Sequence, residues 1–206
     1  MPGRRRSASS TGPEPKDPMD AFLISFGIIF LAELGDKSQL MALTFATRYR
    51  ALTILIAITI ATAFVHLVSV LVGALLGVAL PTDAISIIAG VAFLGFAAWT
   101  LRGDELDDDD EARAARTTRS VLWTVGLAFF LAELGDKTML ATVTLATKHG
   151  LLGTWIGSTL GMVAADALAI VVGQQLGARL PEKTVRIGAA ITFVVFGVIL
   201  IVEGVR

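Results

Sequence analysis

The segments "FLAELGDKSQL" (30–40) and "FLAELGDKTML" (130–140) are near-copies of each other, 100 residues apart in the chain. Each places a Glu, an Asp and a Lys inside a long apolar run. Over positions 30–50 and 130–150, 12 of 21 residues are identical. The same offset of 100 relates glycines, phenylalanines and prolines further along. The sequence therefore predicts an internal duplication, with two copies of one structural unit.

The composition predicts an all-α integral membrane protein. Hydrophobic residues make up 54% of the 206 residues and charged residues 17%, and the mean hydropathy is +0.74. Several apolar runs reach the roughly 20 residues that a bilayer-spanning helix needs. The net charge of -1 gives no basic footprint for nucleic acid. The lack of cysteine excludes disulfides and thiolate chemistry. The spans leave no room for a soluble catalytic domain, so no enzyme activity and no cofactor are expected.

Six transmembrane helices are predicted, three in each half, with glycines at four-residue spacing that are typical of close helix packing. A polar tail (1–18), expected to be disordered, precedes the first repeat (19–101), and an acidic linker (102–119) joins it to the second (120–206). Met19 is an alternative start. The predicted spans are Ala21–Thr47, Leu52–Leu80, Ala84–Leu101, Val121–Thr147, Leu151–Leu180 and Val185–Val202.

Three spans per repeat is an odd number, so the second repeat is expected to enter the membrane from the opposite side. Such inverted repeats are the architecture of many secondary transporters. Basic loop residues, which favour the cytosolic side, cluster around Arg48, Arg102 and Arg186. This places the acidic linker in the cytosol and both termini outside, although the basic tail argues against that orientation.

The charged motifs need a reason to lie at membrane depth, where a charge costs roughly 2.5–3.5 kcal/mol. Glu33 and Asp36 are three residues apart and would share one face of a continuous helix. Glu133 and Asp136 repeat this spacing. The glycine within each motif supplies either a small side or a local break, and a break would free carbonyl groups to coordinate a cation.

A simple ion pair is the structural alternative, because Glu33 and Lys37 are four residues apart, as are Glu133 and Lys137. Each motif nevertheless has two carboxylates and one Lys, which leaves a surplus of -1 per motif and -2 for the pair. That charge balances one divalent cation or two protons. A structural ion pair would not need the additional Asp.

The surrounding side chains favour a hard cation. Ser38 and Thr138 follow the motif acids, and Thr44 and Thr144 lie further along. Together they make an all-oxygen environment of the kind that Ca²⁺, Mn²⁺ and Mg²⁺ prefer. Gln39 adds an amide carbonyl in the first motif only. The same carboxylates can take protons when the metal leaves, which gives a route to metal/proton exchange.

His66 and Asp166 occupy equivalent positions in the second span of each repeat, where ionisable groups are functional by default. His66 is interpreted as a nitrogen ligand favouring Mn²⁺ over Ca²⁺, as a proton carrier, or as a hydrogen-bond partner of a neighbouring helix. Asp166 needs a partner, for which Lys37 or Lys137 is the candidate.

Two copies of E-x-G-D-[KR]-[ST], one opening each half, resemble the signature of the Gdt family of cation/proton exchangers of Golgi, chloroplast and bacterial membranes. "ELGDKS" (33–38) and "ELGDKT" (133–138) match it without departure, and the resemblance covers 20–205. It implies Mn²⁺ and Ca²⁺ transport coupled to protons. The residues it implies are the cation ligands Glu33, Asp36, Glu133 and Asp136, helped by Ser38 and Thr138, with Lys37 and Lys137 as their partners.

The leading hypothesis is an exporter of Mn²⁺, with Ca²⁺ as a second substrate, in exchange for protons. A prokaryotic plasma membrane is expected because the N-terminus lacks the length of a transit peptide. The alternative within transport is an exporter of a small organic cation or amino acid. An intramembrane hydrolase using paired carboxylates and a structural scaffold are disfavoured, and monomer and homodimer both stay open.

Overall fold

The computed structural model describes residues 17–102, 120–176 and 182–206, and every regular element in them is an α-helix. The predicted tail (1–18) and linker (102–119) lie almost wholly outside the described residues. The helices are α1 (Pro18–Glu33), α2 (Lys37–Ala46), α3 (Ala51–Ala79), α4 (Thr82–Arg102), α5 (Val121–Glu133), α6 (Lys137–His149), α7 (Leu151–Leu176) and α8 (Glu182–Val205).

Local sequence accounts for the ends of these helices. Asp17 caps α1 by accepting a hydrogen bond from the backbone N–H of Met19 at 2.9 Å, and Pro18 occupies the first turn, where its missing N–H costs nothing. α3 continues for 29 residues without a charge or a proline and ends just before Pro81. Gly150, with φ of 90°, separates α6 from α7.

The surface of the helix bundle is apolar. Leu75 is 73% exposed, Val78 91% and Trp123 75%, and many other leucines, isoleucines and valines are also exposed. A soluble monomer rarely shows so large an apolar surface. Among the described residues, four helices are long and apolar enough to cross a membrane, or five if the bent pair α1–α2 counts as one span. This agrees with an all-α membrane protein.

The positions of the six predicted apolar segments coincide with helices, but two of the segments are not continuous. α1 and α2 meet at a 74° bend. α5 is apolar but has only 13 residues, and α6 follows it after the same three-residue break. The first predicted span of each half is therefore interrupted, which agrees with the alternative of a local break at the motif glycine. The reason lies in the charged motifs, which occupy both breaks.

One end of the bundle brings together positions that are far apart in the chain. A methyl group on Gly153 would lie 2.3 Å from the Pro18 carbonyl oxygen. Lys148 Nζ donates to Glu203 Oε2 at 2.7 Å and to Ser86 Oγ at 2.9 Å. The beginnings of α1, α4 and α7 and the ends of α6 and α8 therefore lie together.

Equivalent helices of the two halves make equivalent contacts. α1 packs against α7 as α5 packs against α3, and α4 packs against α8. Residues 100 apart touch each other directly: Thr62 Oγ1 lies 3.2 Å from Met162 Sδ, and the ring centroids of Phe93 and Phe193 are 5.7 Å apart. The duplicated sequence therefore forms two interlocked halves rather than two separate bundles.

Glycines allow the closest of these contacts, as their four-residue spacing predicted. The glycines of α7 stand against the backbone of α1 in register, in the pairs Gly153–Pro18, Gly157–Phe22 and Gly161–Phe26. The two helices therefore run parallel and approach each other closely at these glycines. Gly73 and Gly77 of α3 similarly meet the backbone of α6 at Val143 and Thr147.

Gly157→Ala should destabilise the protein, because the added methyl group would lie 2.4 Å from the Phe22 carbonyl oxygen. Overpacking of this kind costs about 1–3 kcal/mol. Thermal unfolding in detergent should show a lower midpoint. The matched control is Gly27→Ala on α1, where nothing lies within 4 Å of the new methyl group. Equal midpoints for the two variants would contradict close α1–α7 packing.

Candidate functional site

Both charged motifs form a break between two helices. α1 ends at Glu33 and α5 at Glu133, and the next helices begin at Lys37 and Lys137. The breaks turn on Gly35, with φ of 78°, and on Gly135, with φ of 81°, a conformation that glycine adopts without a steric penalty. The two acids of a motif therefore do not share a face of one helix, and that prediction was wrong. The predicted local break is confirmed.

A hydroxyl group ties each motif glutamate to the helix after the break. Ser38 Oγ donates to Glu33 Oε1, and Thr138 Oγ1 donates to Glu133 Oε2 at 3.0 Å. Both glutamates are wholly buried, and their other carboxylate oxygens, Glu33 Oε2 and Glu133 Oε1, have no hydrogen-bond partner. Each motif thus presents one buried, unsatisfied carboxylate oxygen, which is a costly arrangement unless it serves a ligand.

The motif aspartates occupy the N-cap positions of the helices after the breaks, and the side chain of Asp136, but not that of Asp36, accepts a hydrogen bond from a backbone N–H there. Asp36 and Asp136 are the N-cap residues of α2 and α6. Asp136 Oδ2 lies 3.4 Å from the Thr138 backbone N and 3.4 Å from its hydroxyl, and Asp36 Oδ2 lies 3.4 Å from Ser38 Oγ. A carboxylate at a helix N-terminus is favoured by the helix dipole. The aspartates are therefore partly engaged by their own helices.

An ion pair joins the two motifs across the halves of the chain. Lys137 Nζ donates to Asp36 Oδ1, and both side chains are almost fully buried, at 2% and 0% exposure. The spacing within each motif suggested a pair between Glu133 and Lys137, but the break turns Lys137 towards the first motif instead. The pair holds the two breaks next to each other.

Gln39 supports the first break. Its Oε1 accepts from the Gly35 backbone N–H at 2.8 Å, and its Nε2 donates to the Ala165 carbonyl on α7 at 2.8 Å. The carbonyl oxygen that the sequence offers as a cation donor thus already accepts one hydrogen bond in this arrangement. In the second break, Met139 replaces the amide, and its sulfur lies 3.2 Å from the Gly135 backbone N.

Asp166 and His66 are both wholly buried, and none of their four polar side-chain atoms has a hydrogen-bond partner. The predicted ion pair of Asp166 with a motif lysine is therefore not formed. α7, which carries Asp166, packs against α1 and α2 around the first motif, and α3, which carries His66, packs against α5 and α6 around the second.

Five carboxylates share one region. The side chains of Asp36, Glu133, Asp136 and Asp166 all lie close enough to Glu33 to repel a charge on it. In the described part of the chain, however, no three acidic or histidine side chains converge closely enough to hold a metal ion. The five acids therefore lie near one another without a common metal position, and Lys137 forms an ion pair with one of them, Asp36.

Two predicted oxygen donors lie elsewhere. Thr44 and Thr144 each donate their hydroxyl hydrogen to the carbonyl four residues earlier on their own helix, at 2.9 Å. Each follows its motif aspartate by eight residues, which is about 12 Å along a helix. Sequence reasoning also missed buried hydroxyls that have no hydrogen-bond partner: Ser25 in α1, and Thr154 and Thr159 in α7. The sequence shows each of them only as a polar residue within a predicted span. At the positions equivalent to Ser25 and Thr154, the other half of the chain has an apolar residue.

Buried acids at paired helix breaks within an apolar bundle are features of membrane transporters. The family model described as "Divalent cation/proton antiporter GDT1" matches residues 21–108 and 121–206. The chain belongs to this family. It is a multi-pass membrane protein that transports divalent cations and is not an enzyme.

Curated relatives agree with this assignment. A "Putative manganese exporter" of Vibrio cholerae is 34% identical over 171 residues, which cover 82% of this chain and 84% of the relative. "GDT1-like protein 2, chloroplastic" of Oryza sativa is 30% identical over 86% of this chain and 59% of its own length. "GDT1-like protein sll0615" of Synechocystis is 28% identical over 88% and 96%. No solved structure is significantly similar to the chain.

Asp36→Asn should destabilise the protein by about 3–5 kcal/mol, because it removes a carboxylate partner from the buried ammonium of Lys137. Adding Lys137→Met to this variant should recover most of the loss, since neither charge then remains. Unfolding by denaturant titration in lipid bicelles measures the four members of this double-mutant cycle. Losses that simply add would show that the ion pair contributes no coupling energy.

Proposed function

We propose that this protein exports Mn²⁺, with Ca²⁺ as a second substrate, in exchange for protons across a prokaryotic plasma membrane. The observation that carries the proposal is the pair of buried, unsatisfied carboxylate oxygens, Glu33 Oε2 and Glu133 Oε1. One lies in each motif, and the Lys137–Asp36 ion pair joins the two motifs. The relative named as a manganese exporter supports Mn²⁺ as the first substrate.

The cation ligands in this proposal are the four motif acids together with the two hydroxyls that already contact them. The set is Glu33, Asp36, Glu133, Asp136, Ser38 and Thr138. It offers oxygen atoms alone, which suits a hard divalent cation. The remaining polar residues surround these ligands or lie on the proton route. They are Lys37, Lys137, His66, Asp166 and Gln39.

Exchange follows from competition for the same oxygen atoms. A carboxylate that loses its cation in a nonpolar interior is stabilised by taking a proton. The surplus of two negative charges in the two motifs is neutralised by one divalent cation or by two protons. Because Lys137 donates to Asp36 in the arrangement described, a cation that uses Asp36 has to displace that ammonium. Metal binding would thus loosen the contact between the motifs.

The transport architecture is six crossings in two inverted repeats. The beginnings of α1, α4 and α7 share one end of the bundle with the ends of α6 and α8. The chain leaves that end in α1 and comes back to it with α3, α6 and α8. Three outward and three return passages support six crossings, when each of the broken pairs α1–α2 and α5–α6 is counted as one. The pair α5–α6 then runs opposite to α1–α2. We place the shared end outside and the acidic linker (102–119) in the cytosol.

Proton flux in proteoliposomes that contain a pH-sensitive dye tests the exchange. Addition of Mn²⁺ should move protons, Ca²⁺ should do so less effectively, and Glu33→Gln and Glu133→Gln should each abolish the flux. Each substitution removes a negatively charged carboxylate that is both a cation ligand and a proton acceptor in this proposal. Loss of a residue that supports a metal ligand typically costs about 10–100-fold in affinity or activity, and loss of a ligand itself should cost at least as much.

The matched control for the flux is Glu203→Gln, which alters an exposed carboxylate that pairs with Lys148 at one end of the bundle. This variant should keep wild-type flux. If folded wild-type protein moves no protons with either metal, the exchanger is excluded. Flux that persists in both motif variants would remove the motif glutamates from the transport step.

Topology can be mapped without background, because the chain has no cysteine. Single cysteines at Thr82 and Val205 should react with an impermeant maleimide added to intact cells, because both positions lie at the end that we place outside. Cysteines at Thr47 and Leu101 should react only after the cells are opened. All four residues are exposed, so accessibility to the membrane side alone should decide the labelling. Labelling of all four in intact cells would contradict six crossings.

A further inference from the structure

His66 and Asp166 are equivalent positions of the two halves that carry different chemistry. Each lies one helical turn beyond a residue of the Thr62–Met162 contact, where α3 meets α7. The duplicated architecture therefore offers two comparable locations and places an imidazole at one and a carboxylate at the other. Both side chains are wholly buried.

The imidazole of His66 has no hydrogen-bond partner at either nitrogen, although no part of the residue is exposed. A buried polar group left without a partner costs about 1–3 kcal/mol. A histidine kept only to hold helices together would be expected to bond a neighbouring helix, and the structure shows no such bond. Its nitrogens are instead available as ligands for a metal ion.

The helix packing places His66 at the level of the second motif. α3 and α5 run parallel, since Gly126 lies against Ala57 and the ring centroids of Phe64 and Phe130 are 5.9 Å apart. His66 is two residues beyond Phe64, and Glu133 is three residues beyond Phe130, so the two lie at similar depth. Phe64 is 57% exposed on the outer surface. His66, about 200° further around the helix, points to the interior.

The donors around the two motifs therefore differ. The first motif has Asp166, an oxygen donor, on its neighbouring helix, whereas the second has His66, a nitrogen donor. Imidazole nitrogen binds Mn²⁺ but is a poor ligand for Ca²⁺, which takes oxygen almost exclusively. We propose that His66 is a direct ligand of the transported cation and determines the preference for Mn²⁺ over Ca²⁺. This inference rests on the proposed function and specifies one ligand of its site.

The second half of the chain supplies the substitution that tests this inference. His66→Asp gives the first half the residue that the second half already has at the equivalent position. Mn²⁺-driven and Ca²⁺-driven flux in proteoliposomes should show the ratio of the two KM values shifting towards Ca²⁺ by about tenfold, the usual scale for loss of a metal ligand or its support. The control is Ser69→Ala, a buried residue of α3 whose hydroxyl bonds the Val65 carbonyl at 2.8 Å. Its ratio should stay at the wild-type value.

A spectroscopic test does not depend on turnover. Pulsed electron paramagnetic resonance of Mn²⁺ bound to the purified wild-type protein should show coupling to an imidazole nitrogen. The chain has two histidines, His66 and His149. The coupling should vanish in His66→Asn and persist in His149→Gln, which alters the residue at the end of α6.

The outcomes separate this inference from the function on which it rests. Wild-type protein that transports neither metal overturns the exchanger itself. Wild-type protein that transports Mn²⁺ but shows no nitrogen coupling overturns the role of His66 and leaves the exchanger intact. An unchanged KM ratio in folded, active His66→Asp does the same. If His66→Asp fails to fold, the wild-type spectrum and the His66→Asn variant still decide the matter.

Discussion

A carboxylate inside an apolar bundle is stable only if it accepts hydrogen bonds, forms an ion pair or binds a cation or a proton. This constraint explains the local structure of both motifs. At the break on Gly135, the Thr138 N–H of the next helix donates to Asp136. The hydroxyls after the breaks take one oxygen of each glutamate. Lys137 supplies the buried positive charge. Within the motifs, these devices leave one oxygen of each glutamate without a hydrogen-bond partner, and it is there that we propose the cation binds.

The sequence alone predicted the features that depend on length and periodicity. Runs of about 20 apolar residues have few alternatives to helices in a membrane, so the helix positions agree with those expected. The offset of 100 was visible in the motifs and reappears in the contact between Thr62 and Met162. Glycines at four-residue spacing indicated close packing, and Gly157 meets the backbone of α1. Whether all six segments cross the membrane stays a prediction.

Contacts between distant residues could not be predicted in the same way. The spacing of Glu133 and Lys137 suggested a pair within one helix, but a glycine with positive φ redirected the lysine to Asp36 in the other half. Gln39 was expected to offer its carbonyl to a cation, and the hydrogen bond of that oxygen to the Gly35 N–H across the first break was not foreseen. Asp166 was expected to find a lysine and has no partner. Each of these outcomes depends on a backbone turn or on the packing of a second helix, neither of which follows from residue spacing.

The contact of residues with their own counterparts, as at Phe93 and Phe193, is the geometry of a symmetric dimer contained within one chain. In a true homodimer, every change made on one side of the axis is made on the other as well. Covalent joining of the halves removes that restriction. Positions 39 and 139, and 66 and 166, could then diverge one at a time while the shared framework stayed the same. The fused chain can therefore carry different side chains at equivalent positions of its two halves, which two identical subunits could not do.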